Sequence, residues 1–270
     1  MKKIYDIDAN LPKAVKYMNL LLIGVAGSGK SSFVNSCATA LLDDGRLVQA
    51  SLAMKAGMAS ATRMLKLAPL RRKGGDVIPI RLFDTRGILK EGTEVVGKEE
   101  MNYIIDGYVK PNAKMTSLSD MKAEKKSQRE TPKIGDEMHC VVYVVRADKS
   151  MDDKDPCLGE IAGIRETVAQ RNLPQCVLIT AIDKILPNAD DVGDMFRYSI
   201  VQKLCKFVSN SLKLSPGNIF PTANYVIEGV PDAVKDGISL CTLWKIVSLG
   251  IDYLNQMEGI GDNIPDDFFD

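Results

Sequence analysis

Five short apolar runs punctuate the chain at 19–24 (NLLLIG), 77–84 (VIPIRLFD), 139–145 (HCVVYVV), 175–180 (QCVLIT) and 218–222 (NIFPT). They are of strand length, and a near-continuous supply of Val, Ile and Leu, without polar alternation, marks strands buried on both faces. Helical periodicity fills the intervals at 30–43, 97–109, 158–171, 191–213 and 237–257, the last two apolar along one side. Strands alternating with helices predict an α/β fold, a doubly wound, mostly parallel sheet with flanking helices. Two segments fit neither period. Residues 51–76 are rich in Ala, Gly, Met and basic residues, and 110–137 carry mixed charge with two prolines. Both are read as mobile insertions, the second solvated. One domain over 1–270 is expected, with its core at about 18–257 and an acidic tail at 258–270.

Composition changes this picture little. Apolar residues make up 45% and charged residues 26% of the 270, ordinary values for a globular chain. Lys+Arg and Asp+Glu both total 35, so no net field draws the protein to nucleic acid, and none is expected as a partner. The six cysteines stand singly with no CxxC pair, which suits a reducing compartment. No secretory signal, glycosylation sequon, myristoylation glycine or CaaX box is present, and no stretch approaches the ~20 apolar residues that would cross a bilayer. A cytoplasmic protein without a transmembrane segment is expected.

In an open α/β sheet, ligands bind where loops leave the carboxyl ends of the strands, here near Gly24, Asp84, Arg146 and Thr180. Gly24–Ser31 reads GVAGSGKS, a GxxxxGKS loop directly after a predicted strand and directly before a predicted helix. Its glycines let backbone N–H groups turn inward around phosphates, and the helix N-terminus adds a favourable field. The predicted cradle comprises Gly24, Ala26, Gly27, Ser28, Gly29, Lys30, Ser31 and Ser32. Lys30 reaches the β and γ oxygens and Ser31 offers its hydroxyl to Mg²⁺.

DTRG, Asp84 to Gly87, ends the second strand. An aspartate there can hold a water on Mg²⁺, and the Gly87 N–H can face the γ-phosphate. VLITAID sets Thr180 and Asp183 where a TKxD or NKxD motif reads guanine N1 and N2, with Ala181 standing at the lysine position. An alanine cannot lay a methylene stem along the base, and Lys184 is expected to face elsewhere, so guanine and adenine both stay open. After the last strand, Thr222 and Ala223 can direct backbone N–H groups at the base carbonyl. Thr62, the only threonine in 51–76, is assigned by elimination to cover the metal, which completes a set of Ser31, Thr62 and Asp84.

The stretches NLLLIGVAGSGKSSFVNS, RLFDTRGI, CVVYVVRADKS and LPQCVLITAIDKI, in this order across most of residues 18–255, resemble the interferon-induced protein 44-like family. The resemblance implies a GTPase-like fold, cytoplasmic residence and a role in innate immune or antiviral response. Vertebrate members usually carry an N-terminal TLDc-type domain, for which a chain of this length is expected to have no room. Partner roles tied to that domain are therefore not expected to transfer.

Many small GTPases place a glutamine directly after DxxG to orient the attacking water, and this chain has Ile88 there. Slow hydrolysis is expected, with Arg86 and Arg63 as candidate arginine fingers. The leading reading is a guanine-nucleotide-binding protein that uses GTP/GDP and Mg²⁺ to order residues 51–76 and 85–137, which then face a protein partner or a second copy. A non-hydrolysing scaffold and a P-loop ATPase are the alternatives. His139 has no triad or zinc partners at recognisable spacing and is read as structural, and Trp244 as core.

Overall fold

A strand that is apolar along its whole length must be covered on both sides, and this requirement sets the architecture. The computed structural model describes residues 4, 6–48, 65–85, 97–114, 117–149, 156–226 and 228–261. Strands β1 (Met18–Ile23), β2 (Leu65–Arg71), β3 (Val77–Thr85), β4 (Cys140–Arg146), β5 (Gln175–Thr180) and β6 (Ile219–Pro221) form one sheet in the order β2-β3-β1-β4-β5-β6. Neighbours pair in parallel except at the β2 edge, which runs antiparallel to β3. Helices α1 (Lys30–Leu42), α2 (Lys98–Ile105), α3 (Leu118–Ala123), α4 (Pro156–Ala169), α5 (Ser199–Leu212) and α6 (Ala233–Gly261) cover it.

The two-residue period of each strand deals its side chains to two cores. Leu21, Ile23, Val141, Tyr143, Val145, Val177 and Ile179 enter one core with Ile104 of α2, Ile161 of α4 and Leu204 of α5. Leu20, Leu22, Val142, Val144 and Leu178 enter the other with Phe33 and Val34 of α1 and Leu243 and Val247 of α6. The doubly wound arrangement expected from the apolar runs is therefore the one observed.

Four expectations need correction. Residues 65–71, placed within a mobile insertion, form β2. Its sequence LKLAPLR buries Leu65, Ala68 and Leu70 while leaving Pro69 exposed, and an edge strand tolerates a proline that cannot donate to the ladder. Residues 117–137, read as solvated, carry α3 and 3-10 turns at Lys125–Ser127 and Ile134–Asp136. Met121 is buried there, and Arg129 donates to the carbonyls of Gly107 and Val109 and pairs with Asp136 at 2.9 Å. The single helix expected over 191–213 is broken. A 3-10 stretch at Ala189–Arg197 meets α5 at Tyr198, whose backbone is extended (φ −84, ψ 123) and whose hydroxyl bonds Asp191. Finally, within α6 the stretch Ala233–Glu258 is long and apolar enough by composition to cross a membrane, against the expectation that no stretch approaches this. Leu240, Leu243, Ile246, Val247 and Leu254 are buried within the fold.

Buried polar side chains hold the main chain between elements. Asn19 Nδ2 donates to the carbonyls of Gly135 (3.0 Å) and Glu137 (2.8 Å). His139 Nδ1 accepts from the Asn19 amide (3.0 Å), so its Nε2 carries the proton that reaches the Ile134 carbonyl (2.8 Å). That pairing requires a neutral ring, and burial lowers its pKa. Thr39 Oγ1 accepts from the Val48 amide at 2.9 Å.

Candidate nucleotide-binding site

The loop between β1 and α1 is compressed against its neighbours, and this explains its glycines. A Cβ on Gly24 would lie 2.4 Å from the Val144 carbonyl oxygen. Gly27 and Gly29 have φ +79 and +99, where side chains are strained, and a Cβ on Gly29 would meet Thr180 Oγ1 at 2.9 Å. The chain thus turns into α1 with its amides free of side-chain bulk, as a phosphate cradle needs. Lys30 is 5% exposed and lays its ammonium along the loop, donating to the carbonyls of Gly24 (2.8 Å) and Val25 (2.9 Å). Ser32 continues α1, and Ala26 lies on the loop between Val25 and Gly27.

β3 pairs with β1 so that Asp84 lies beside Leu22, at the base of the loop. The Ser31 hydroxyl donates to Asp84 Oδ2 at 2.6 Å. Asp84 is 3% exposed, and its Oδ1 is buried with no hydrogen-bond partner among the described residues. A buried carboxylate oxygen left unpaired is costly. A hydroxyl and a carboxylate side by side form a hard-oxygen donor set, which fits Mg²⁺ arriving with waters and phosphates of its own. Among the described residues no group of three or more His, Cys, Asp or Glu could hold a metal unaided. Thr62, Arg63, Arg86 and Gly87 lie outside the described residues.

β5 brings up the far wall. The Thr180 hydroxyl donates to the Ser28 carbonyl at 2.6 Å, with Val145 O at 3.2 Å, so this side chain braces the phosphate loop. Ala181 follows in the left-handed region (φ +58), and the turn Ile182–Lys184 carries Asp183, whose side chain is 17% exposed. Lys184 swings back to within 3.5 Å of Asp183, so the lysine expected to face elsewhere touches the aspartate itself. After β6, the Thr222 amide donates to the Ile179 carbonyl and its own carbonyl accepts from Ile182 N, which seats Thr222 and the fully buried Ala223 beside the Asp183 turn.

Four residues that the motifs did not assign as ligands complete the arrangement. Asn224, 4% exposed, donates to the Gly29 carbonyl at 3.2 Å. Ser36 accepts from the Tyr225 amide at 3.0 Å, and the Tyr225 hydroxyl bonds Asp232 and Asp236 at the start of α6. Arg146, recognised only as a strand end, directs its guanidinium at the phosphate loop. The sequence signal for Asn224 is a polar residue among buried neighbours. Arg146 gives none beyond its place after an apolar run.

Comparison with known proteins gives a consistent picture. No family model matches the chain. Human interferon-induced protein 44 is 24% identical over 245 residues, covering 90% of this chain and 54% of that protein. Its mouse counterpart is 23% identical over 246 residues, and human interferon-induced protein 44-like 24% over 249. These are the relatives that the sequence motifs suggested, and the chain spans about half of their length. Among solved structures, a dimerization-deficient mutant of Toc33 from Arabidopsis thaliana superposes with a TM-score of 0.53 at 16% identity, covering 93% of this chain and 91% of that one. The fold is that of a P-loop NTPase G domain.

Proposed function

We propose that the chain binds a guanine nucleotide with Mg²⁺ at Gly24–Ser31 and works as a slow GTP-hydrolysing switch in an innate immune or antiviral response in the cytoplasm. The observation that carries this reading is the pair of Ser31 and Asp84 beneath the glycine-lined loop, with one buried carboxylate oxygen unpaired among the described residues. In it, the backbone amides from Gly24 to Ser32 bind the phosphates and Lys30 leaves the Gly24 and Val25 carbonyls to reach them. Ser31 and Asp84 would hold the Mg²⁺. Mg²⁺ supplies neutralisation of the phosphate charge that develops during transfer. Thr62 is assigned to the cation and Gly87 to the γ-phosphate. Asp183 reads the base edge, with Thr180 behind it and the backbone of Thr222 and Ala223 alongside. Arg86 and Arg63 remain the candidate fingers, acting toward a partner or a second copy. The interferon-induced relatives support the immune setting.

A second reading, a binder that does not hydrolyse GTP, is favoured by Ile88, which has no polar atom to orient water. Calorimetric titration with GDP, GTPγS, ADP and ATPγS in Mg²⁺, beside Lys30→Ala, tests the site. Guanine binding that disappears in the variant supports it, and absence of binding by the wild type refutes it. Single-turnover hydrolysis of GTP then separates switch from scaffold.

A further inference from the structure

β4 ends in a cation that the reading above leaves unused. Arg146 closes the strand in register with Thr180, the residue whose hydroxyl braces the phosphate loop. Its guanidinium is held from two directions. Nε and Nη2 donate to the two carboxylate oxygens of Asp148, each at 2.8 Å, and Nη1 lies 3.4 Å from the Gly27 carbonyl at the outer lip of the loop. A bidentate carboxylate fixes the plane of a guanidinium as well as its position. The hydrogen bonds to Asp148 raise the Arg146 pKa, and the fields of Asp148 and Asp183 add to this, so the group is cationic and within electrostatic reach of the base-side turn. Its side chain is 31% exposed, which leaves part of it open to a ligand.

In the TKxD form of the motif a lysine stem would lie along the base, whereas here position 181 presents a single methyl group from a left-handed backbone. Lys184 does not fill the gap, since it is drawn to Asp183. A flat cation thus stands on the neighbouring strand, between the phosphate loop and the aspartate of the same motif, where the lysine is missing.

Resting on the nucleotide reading above, we infer that Arg146 is the base-side binding residue of this site, its Asp148-clamped guanidinium supplying the flat cationic face on which a purine packs. Guanidinium planes stack on nucleobases through dispersion and cation–π attraction, and every base has a π face. The contact therefore adds affinity for any purine nucleotide and leaves discrimination between guanine and adenine to Asp183.

The test compares Mg²⁺ complexes of GDP, ADP and inorganic pyrophosphate, titrated calorimetrically into the wild-type chain and Arg146→Ala. Loss of one stacked contact lowers GDP and ADP affinity about tenfold, equivalent to about 1.4 kcal/mol, and leaves pyrophosphate affinity within about twofold. Arg146→Lys keeps the charge without the plane and serves as the second variant should the alanine form not fold; it loses nucleotide affinity to a similar extent. GDP affinity unchanged in both variants overturns the inference, and so does pyrophosphate affinity falling as far as GDP affinity, since Arg146 would then belong to the phosphate loop. In those cases the nucleotide site itself stands. A wild-type chain that binds none of the three ligands removes both.

Discussion

Gly29→Ala tests whether the phosphate loop is held by the contacts described. At φ +99 an L residue is strained by about 1–2 kcal/mol, and at the upper end because this φ lies well beyond the usual left-handed minimum. The added methyl would also sit 2.9 Å from Thr180 Oγ1, 3.0 Å from its Cγ2 and 3.1 Å from its Cβ. Thr180 cannot retreat without loosening its hydrogen bond to Ser28 O, and overpacking of this kind costs about 1–3 kcal/mol. A total of about 3–5 kcal/mol is expected, which lowers the melting temperature of a domain this size by about 6–20 °C. The assay is urea denaturation without nucleotide, with thermal melting alongside. Thr180→Ala alone should cost about 1 kcal/mol through the lost hydrogen bond. Because it also removes Oγ1 and Cγ2, the two atoms nearest the new methyl, the double variant should be about 1–2 kcal/mol more stable than the two single losses predict. Additive losses, or a Gly29→Ala cost below about 1 kcal/mol, would refute the steric argument.

Three further outcomes are expected. Asp84→Ala removes the carboxylate on the cation side, so nucleotide affinity in Mg²⁺ should fall to the value the wild type shows in EDTA; a preserved Mg²⁺ effect would count against the assignment. Burial holds His139 below its ordinary pKa, so the folded ring stays neutral while the unfolded ring takes up a proton below about pH 6.5. Its contribution is thus fully present above that pH and lost as pH falls, and the urea midpoint of His139→Asn should fall less steeply from pH 7 to pH 5 than that of the wild type; equal slopes would contradict this. Cys37 and Cys176 are buried with thiol pKa values pushed up by desolvation, and Cys205 is raised to about 11, whereas Cys241 is exposed. A thiol reagent at pH 8, read by peptide mass mapping, should label Cys241 before Cys37 and Cys176, which react only on unfolding.

The five parallel strands were legible because each is apolar on both faces, a pattern that needs no knowledge of partners. β2 was hidden for the opposite reason. With Lys66, Pro69 and Arg71 in seven residues it has little strand character of its own, and it is held by pairing with β3 and by burial of Leu65, Ala68 and Leu70. Segment 117–137 likewise owes its order to tertiary contacts of Met121 and Arg129 that its composition does not advertise. Of the candidate site, the glycine-rich loop and Asp84 stood out as motifs at strand ends, and the structure brings Ser31 and Asp84 together. Asn224 and Arg146 act across strands, so their partners appear only once the sheet register brings β4, β5 and the loop after β6 against the phosphate loop.

The polar braces share one property: Asn19, Ser36, Thr39, Thr180 and Asn224 each bind a main-chain group. A backbone carbonyl or amide is offered by almost any residue, so the burden of keeping such a bond falls on one position of the two. Neighbouring side chains are then free to drift without a compensating change opposite. A frame built this way can absorb substitution at most positions, whereas replacing one of the few hydroxyls and amides that grip the backbone loses the bond outright.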